Sequence, residues 1–209
     1  MTRRRLLHFC SVLPALIGFA AASDAAVTSI SESDLDGFSL YPKAVQSLIK
    51  RALALTRLRL TYTFASADPA RGGMDCSGAI YYLLQKEGFH EVPRQSDGMA
   101  IWLREAQALQ RTQNVRAHTD AALSKLKPGD LVFWSGTYDA KKRRIPVTHV
   151  MLYLGRLKTS SKPVLFGASD GRRYEGQRRK GVSVFDFAIP KPGSSASLYG
   201  YGSIPGLRR

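Results

Sequence analysis

The segment 72–84, GGMDCSGAIYYLL, places a cysteine between a glycine-rich turn and an apolar run. This pattern predicts a helix that begins at Cys76 and stops at Gly88. A sulfur in the first turn of a helix lies near unsatisfied backbone N–H groups and the positive end of the helix dipole, an environment that favours the thiolate. The alternative is a small apolar residue that is buried and inert. The segment therefore raises the question of whether Cys76 is a nucleophile.

The N-terminal residues resemble a targeting segment. Three arginines at 3–5 precede an apolar run at 6–22 that ends in small residues, and this predicts a secretory signal peptide over 1–22. A retained membrane anchor is the alternative, but Pro14 interrupts the run, which is short against the roughly 20 residues of a spanning helix. We therefore expect a periplasmic or secreted protein with no stable membrane span after signal removal.

Signal removal would leave Cys76 without a partner, because the other cysteine, Cys10, lies in the signal segment. Paired cysteines usually form disulfides in exported proteins. An unpaired one indicates either intermolecular pairing or a free reactive thiol.

The net positive charge of the chain limits the classes of partner that it is expected to bind. The net charge of +15 falls to +12 without the three leading arginines, and this favours polyanionic partners. No zinc-finger spacing, phosphate loop or alternation of aromatic and basic residues accompanies the basic clusters at 141–144, 172–173 and 178–180. We therefore predict no nucleic-acid partner, no metal and no cofactor, whereas an acidic wall polymer would be attracted by the same charge.

The rest of the chain predicts a single α+β domain, and we expect the protein to be a monomer. Helices come first and short strands follow, which favours N-terminal helices packed on a central antiparallel β-sheet. The predicted helices cover 42–56, 76–88 and 96–109, and the predicted strands cover 131–134, 147–154, 163–168 and 182–187. We assign 23–41 to a loose lead-in, 42–190 to the domain, and 191–209 to a Gly/Pro/Ser-rich, loosely packed tail.

One of the four histidines is a candidate partner for the cysteine. His149 lies within the strand-like apolar run 147–154, and alternate residues on a strand share a face. A packed structural histidine is the alternative. An inward histidine facing a helix that begins with an unpaired cysteine is also the arrangement that a Cys–His pair requires.

Five motifs in order carry a family resemblance. The chain resembles the NlpC-type, papain-like cysteine peptidases that cut peptidoglycan stem peptides, over about residues 42–187. The motifs are TY at 61–62, DCSG at 75–78, VPRQS at 92–96, KPGDLVFW at 127–134 and THVMLYLG at 148–155.

The resemblance implies a papain-like fold and a role for each matched residue. It implies that Cys76 is the nucleophile and His149 the base and acid. Tyr62 would place a hydroxyl against the substrate or the oxyanion, and the backbone N–H of Cys76 would help to stabilise that oxyanion. Asp75 is better interpreted as a helix cap than as an acid, and Ser77 as a residue that caps the helix or bonds to the backbone.

The chain departs from the family at the residue that orients the histidine. The family has a polar residue on the next strand, and Gly167 occupies that position here. Three explanations remain: a dyad oriented by water or backbone, a replacement by Ser169 on the same strand face, or a degenerate enzyme. Asp170 could also contribute if the chain turns back there.

The leading functional hypothesis is an exported thiol hydrolase that cleaves an amide bond in peptidoglycan stem peptides. The resemblance points to the bond between γ-D-glutamyl and the diamino acid. A catalytically silent wall-binding module with the same fold is the second hypothesis. The third is an amidase or acyltransferase that acts on another amide or lipid substrate.

Overall fold

A computed structural model describes residues 26–140 and 142–208. The predicted signal peptide 1–22, with Cys10, lies outside the described residues. The α-helices are α1 (Lys43–Arg57), α2 (Cys76–Lys86) and α3 (Ser96–Glu105), and single 3₁₀ turns cover Glu32–Asp34, Phe38–Leu40, Pro69–Arg71 and Ala121–Leu123. The strands are β1 (Thr61–Tyr62), β2 (Gly73–Met74), β3 (Leu109–Arg111), β4 (Asp130–Ser135), β5 (Val147–Arg156), β6 (Pro163–Ser169), β7 (Arg173–Tyr174), β8 (Gln177–Arg178), β9 (Gly181–Asp186) and β10 (Ser197–Ser203).

A six-stranded sheet forms the centre of the fold. Its order is β3-β10-β4-β5-β6-β9, and every neighbouring pair is antiparallel. The three α-helices contribute to one core cluster together with one face of the sheet, and a second apolar cluster covers the opposite face. The predicted α+β class, with helices on a central antiparallel sheet, is confirmed.

The first helix shows how the sequence pattern produces this packing. Val45, Leu48, Ile49 and Ala52 recur at helical spacing and are fully buried on one side of α1. Each large apolar side chain buried in this way stabilises the fold by about 1.5–3 kcal/mol. None of the helices among residues 26–140 and 142–208 has both the length and the hydropathy needed to cross a membrane.

The C-terminal segment is part of the core, which corrects the expectation of a loosely packed tail over 191–209. Strand β10 lies between β3 and β4, and its Tyr201 is buried. The glycines suggested a loose chain, but they permit close packing of strands. A Cβ at Gly200 would lie 2.5 Å from the Gln110 carbonyl oxygen, and one at Gly202 would lie 2.2 Å from that of Ala108.

The lead-in is also more ordered than expected. The Val184 N–H donates to the Thr28 carbonyl along the outer edge of β9, and the Thr28 N–H donates to the Ser183 hydroxyl. Leu35 is buried and bridges to Leu157. Because these residues cover the edge of the sheet and add to its core, the described part of 23–41 packs on the domain.

Candidate active site

Asp75 fixes the start of the helix that carries Cys76. The Gly78 N–H donates to Asp75 Oδ1 at 2.6 Å, which is an N-terminal cap, so the predicted capping role is confirmed. Arg94 makes an ion pair with the same carboxylate, with Nη2 2.8 Å from Oδ2. Ser77 joins this network, because its hydroxyl donates to Asp75 Oδ1 and accepts from Arg94.

Gly78 is required by the close approach of another segment. The Ser66 carbonyl accepts the Asp75 N–H and passes so near the helix that a Cβ at Gly78 would lie 2.0 Å from its oxygen. The backbone of 66–67 therefore packs directly against the first turn of α2.

We expect Gly78→Ala to lower the free energy of unfolding by about 3 kcal/mol, because the new methyl group would push α2 away from Ser66. Urea denaturation measures this change. Gly171→Ala is the matched control, since its Cβ would meet no atom closer than 3.9 Å, and it should change stability by less than about 1 kcal/mol. Equal effects of the two substitutions would contradict the steric explanation.

The start of α2 packs against the strand that carries His149. Cys76 is buried, and its Sγ lies 4.0 Å from the carbonyl oxygen of Thr148. Cys76 and His149 line the same cavity of about 730 Å³. The structure therefore brings together two residues that are 73 positions apart in the sequence.

Tyr62 and Ser169 also line this cavity, so all four residues selected from the sequence lie around one space. Burial, followed by the nearby Cys76 and Asp75, raises the pKa of Tyr62, which keeps its phenol protonated. The Ser169 hydroxyl accepts the Gly171 N–H at 3.4 Å. The role of Ser169 as an orienter of His149 stays a prediction.

Gly167 lies beside Met151. A Cβ at Gly167 would come within 2.9 Å of Met151 Cγ. A side chain at 167 would therefore compete with the packed Met151 for space.

Arg172 contacts His149, which the sequence analysis missed. Its Nε–H donates to His149 Nε2 at 3.3 Å, and its guanidinium lies 4.1 Å from the ring centre of Trp134. Trp134 pairs with His149 across β4 and β5. In the sequence Arg172 belongs to the basic cluster at 172–173, and no local signal separates it from its neighbours.

Comparison with known proteins identifies the family. The sequence model of the NlpC/P60 family matches residues 59–170, which is more than half of the chain. The chain belongs to the NlpC/P60 family. A γ-DL-glutamyl hydrolase of Bacillus subtilis (strain 168) is 27% identical over 153 residues, which cover 69% of this chain and 31% of that protein. The chain thus spans about a third of the length of this curated relative.

A crystal structure of an NLP/P60-family protein similar to lipoproteins, from Staphylococcus aureus subsp. aureus Mu50, is 22% identical to the chain. It matches with a TM-score of 0.45 over 79% of this chain and 40% of that one.

In this NlpC/P60 member the pKa shifts of Cys76 and His149 both favour the neutral form. Burial and the charge of Asp75 raise the pKa of Cys76 to about 11, against the lowering effect of N–H donors from Val150 and Ser77. Burial and the Arg172 guanidinium hold the pKa of His149 well below its usual range. The N–H of Ser77, in the first turn of α2, favours the thiolate as expected, but desolvation outweighs this effect.

We expect alkylation of Cys76 by iodoacetamide, without added substrate, to accelerate as pH rises from 8 towards 11. The raised pKa means that thiolate accumulates only above the ordinary cysteine range, so the rate should not level off near pH 9. Mass spectrometry of the alkylated peptide measures the rate, and an unfolded sample in urea supplies the reference titration. A plateau below pH 8 would show that the thiol is already activated.

The basic loop at 135–146 is tied to helix α3. Arg143 Nη1 lies 2.7 Å from Asp97 Oδ1, and the Arg144 N–H donates to the other carboxylate oxygen. Arg143 also donates to the Tyr138 hydroxyl, and Tyr138 lines the cavity. Arg143 therefore positions a wall of the cavity through protein contacts. Lys141 lies outside the described residues.

Proposed function

We propose that the protein is an exported cysteine hydrolase that cleaves an amide bond in peptidoglycan stem peptides. Cys76 acts as nucleophile and His149 as base and acid. The observation that carries this proposal is the meeting of Cys76, at the start of α2, with His149, on β5, around one cavity. Membership of a hydrolase family and the similarity to a γ-DL-glutamyl hydrolase support the reaction type.

The proposed reaction has two stages. His149 takes the thiol proton of Cys76 as the sulfur attacks the amide carbonyl, and the backbone N–H of Cys76 and the Tyr62 hydroxyl stabilise the oxyanion. The histidine then gives its proton to the leaving amine, which leaves a thioester on Cys76. Water, deprotonated by His149, attacks the thioester, releases the acid and restores the thiol.

The substrate we propose is a stem peptide cut after its γ-D-glutamyl residue. The curated relative is named for γ-glutamyl hydrolysis, and the basic charge of this chain suits an anionic wall polymer. Phe64 lines the cavity, and much of its side chain is exposed. It therefore offers an apolar contact to a bound stem peptide.

Digestion of purified peptidoglycan tests this function. The products released by the protein are separated and identified by mass spectrometry, and we expect new ends at γ-D-glutamyl. Fragments with other ends would assign the thiol to a different amidase reaction. Release no greater than in a sample without protein would exclude the hydrolase.

A catalytically silent wall-binding module is the second candidate. The neutral thiol of Cys76 and the glycine at 167 favour it, since neither activates a nucleophile. Such a module would sediment with intact peptidoglycan and release nothing from it.

A further inference from the structure

The hydrogen bond from Arg172 determines what His149 can do. An arginine N–H can only donate, so His149 Nε2 must accept and the ring proton must lie on Nδ1. A neutral imidazole in this form has a single nitrogen lone pair, and Arg172 occupies it. His149 therefore cannot receive the Cys76 proton while this hydrogen bond persists. The positive charge of Arg172 opposes an imidazolium for the same reason.

Arg172 has unused capacity to bind an anion. Its Nε donates to His149, and within residues 26–140 and 142–208 no carboxylate lies within ion-pair distance of the guanidinium. The side chain lines the cavity and lies over the face of Trp134. A planar guanidinium on an aromatic surface presents its remaining N–H groups as a fork that matches a carboxylate.

The backbone that precedes Arg172 is held in place. The Ser169 hydroxyl accepts the Gly171 N–H, and the Arg178 guanidinium donates twice to the Asp170 carbonyl, at 3.2 and 3.0 Å. Only the side chain of Arg172 must move to release His149, and the flat indole of Trp134 gives it a surface along which to do so.

We propose that Arg172 recognises a substrate carboxylate and that this recognition activates His149. The carboxylate draws the guanidinium away from Nε2 because a charge-assisted, bidentate pair is stronger than a hydrogen bond to a neutral ring. The freed lone pair receives the Cys76 proton, so that thiolate and imidazolium form while arginine and carboxylate neutralise each other. Arg172 thereby makes cleavage specific for amides that carry a carboxylate nearby. The catalytic half of this inference rests on the proposed function.

The test follows the titration of His149 by NMR of its ring nitrogens, in a Cys76→Ala background that prevents turnover. The probe is N-acetyl-D-glutamic acid γ-methylamide, with a free α-carboxylate, and its α-carboxamide is the neutral control. We expect the acid to move the His149 titration to higher pH and to bind roughly tenfold more tightly than the amide. The amide should leave the titration unchanged.

Variants separate this role from a structural one. In Arg172→Gln the His149 titration should lie at higher pH without any probe, and the acid should lose its advantage over the amide. Arg173→Gln is the matched control, because Arg173 is exposed and donates to the Gly176 carbonyl, and it should behave as the parent. If Arg172→Gln does not fold, Arg172→Lys replaces it: the charge is kept, the fork is lost, and the acid should bind more weakly than it does to the parent.

An identical His149 titration in Arg172→Gln and the parent, or an equal response to acid and amide, would overturn the inference. Neither result depends on turnover, so the peptidoglycan digestion tests the proposed function independently of this inference.

Discussion

Cys76→Ala should reduce the release of peptidoglycan fragments by a factor of about 10⁴ to 10⁶, because the proposed nucleophile is removed. His149→Ala should cause a loss of similar size, since the thiol of Cys76 is neutral and needs a base before it can attack. Initial rates of fragment release, quantified by mass spectrometry, measure both losses. The double variant should be little slower than either single one, because the two residues act as a unit.

His90→Ala is the matched control for the histidine. His90 does not line the cavity, and among the described residues its side chain forms a hydrogen bond only with Gln85, so its removal should leave the rate within about twofold. Full activity in Cys76→Ala would assign the reaction to another group. A loss in His149→Ala equal to that in His90→Ala would remove His149 from the mechanism.

Asp75→Ala should lower the free energy of unfolding by about 4 kcal/mol. The substitution removes the cap on the Gly78 N–H and leaves Arg94, whose side chain is 33% exposed, without its carboxylate. It also deprives the Ser77 hydroxyl of its acceptor. Urea denaturation monitored by circular dichroism gives the change, with the slope of the transition as a check on two-state behaviour.

Glu87→Gln supplies the comparison for this prediction. Glu87 pairs with Arg51 at the other end of α2, and the Arg51 side chain is 45% exposed. A solvated pair contributes about 1 kcal/mol or less, so this variant should be nearly as stable as the parent. An Asp75→Ala variant of equal stability would show that the network at the start of α2 contributes nothing to folding.

The elements with a strong local pattern were predictable. Helix α1 was expected at 42–56 and is observed at Lys43–Arg57, because its buried residues follow the helical period. Strand β5 was expected at 147–154 and is observed at Val147–Arg156. Strand β10 was missed, because Gly200 and Gly202 reduce the local strand pattern. These two glycines allow the backbone of β3 to pack closely against β10, and β3 lies far from β10 in the sequence.

The features of the candidate site also separate into those that the local sequence predicts and those that depend on folding. The sequence by itself determined the helix that begins at Cys76, its cap at Asp75 and the strand of His149, since each depends on residues close together in the chain. It also determined the family, because each of the five family motifs is a short local segment. Only the tertiary structure decided the pKa shifts of Cys76 and His149. Burial raises the pKa of Cys76, and Arg172 reaches His149 from a loop 23 residues away. Desolvation and a charge brought in by folding are properties of the packed chain, so no local pattern could report them.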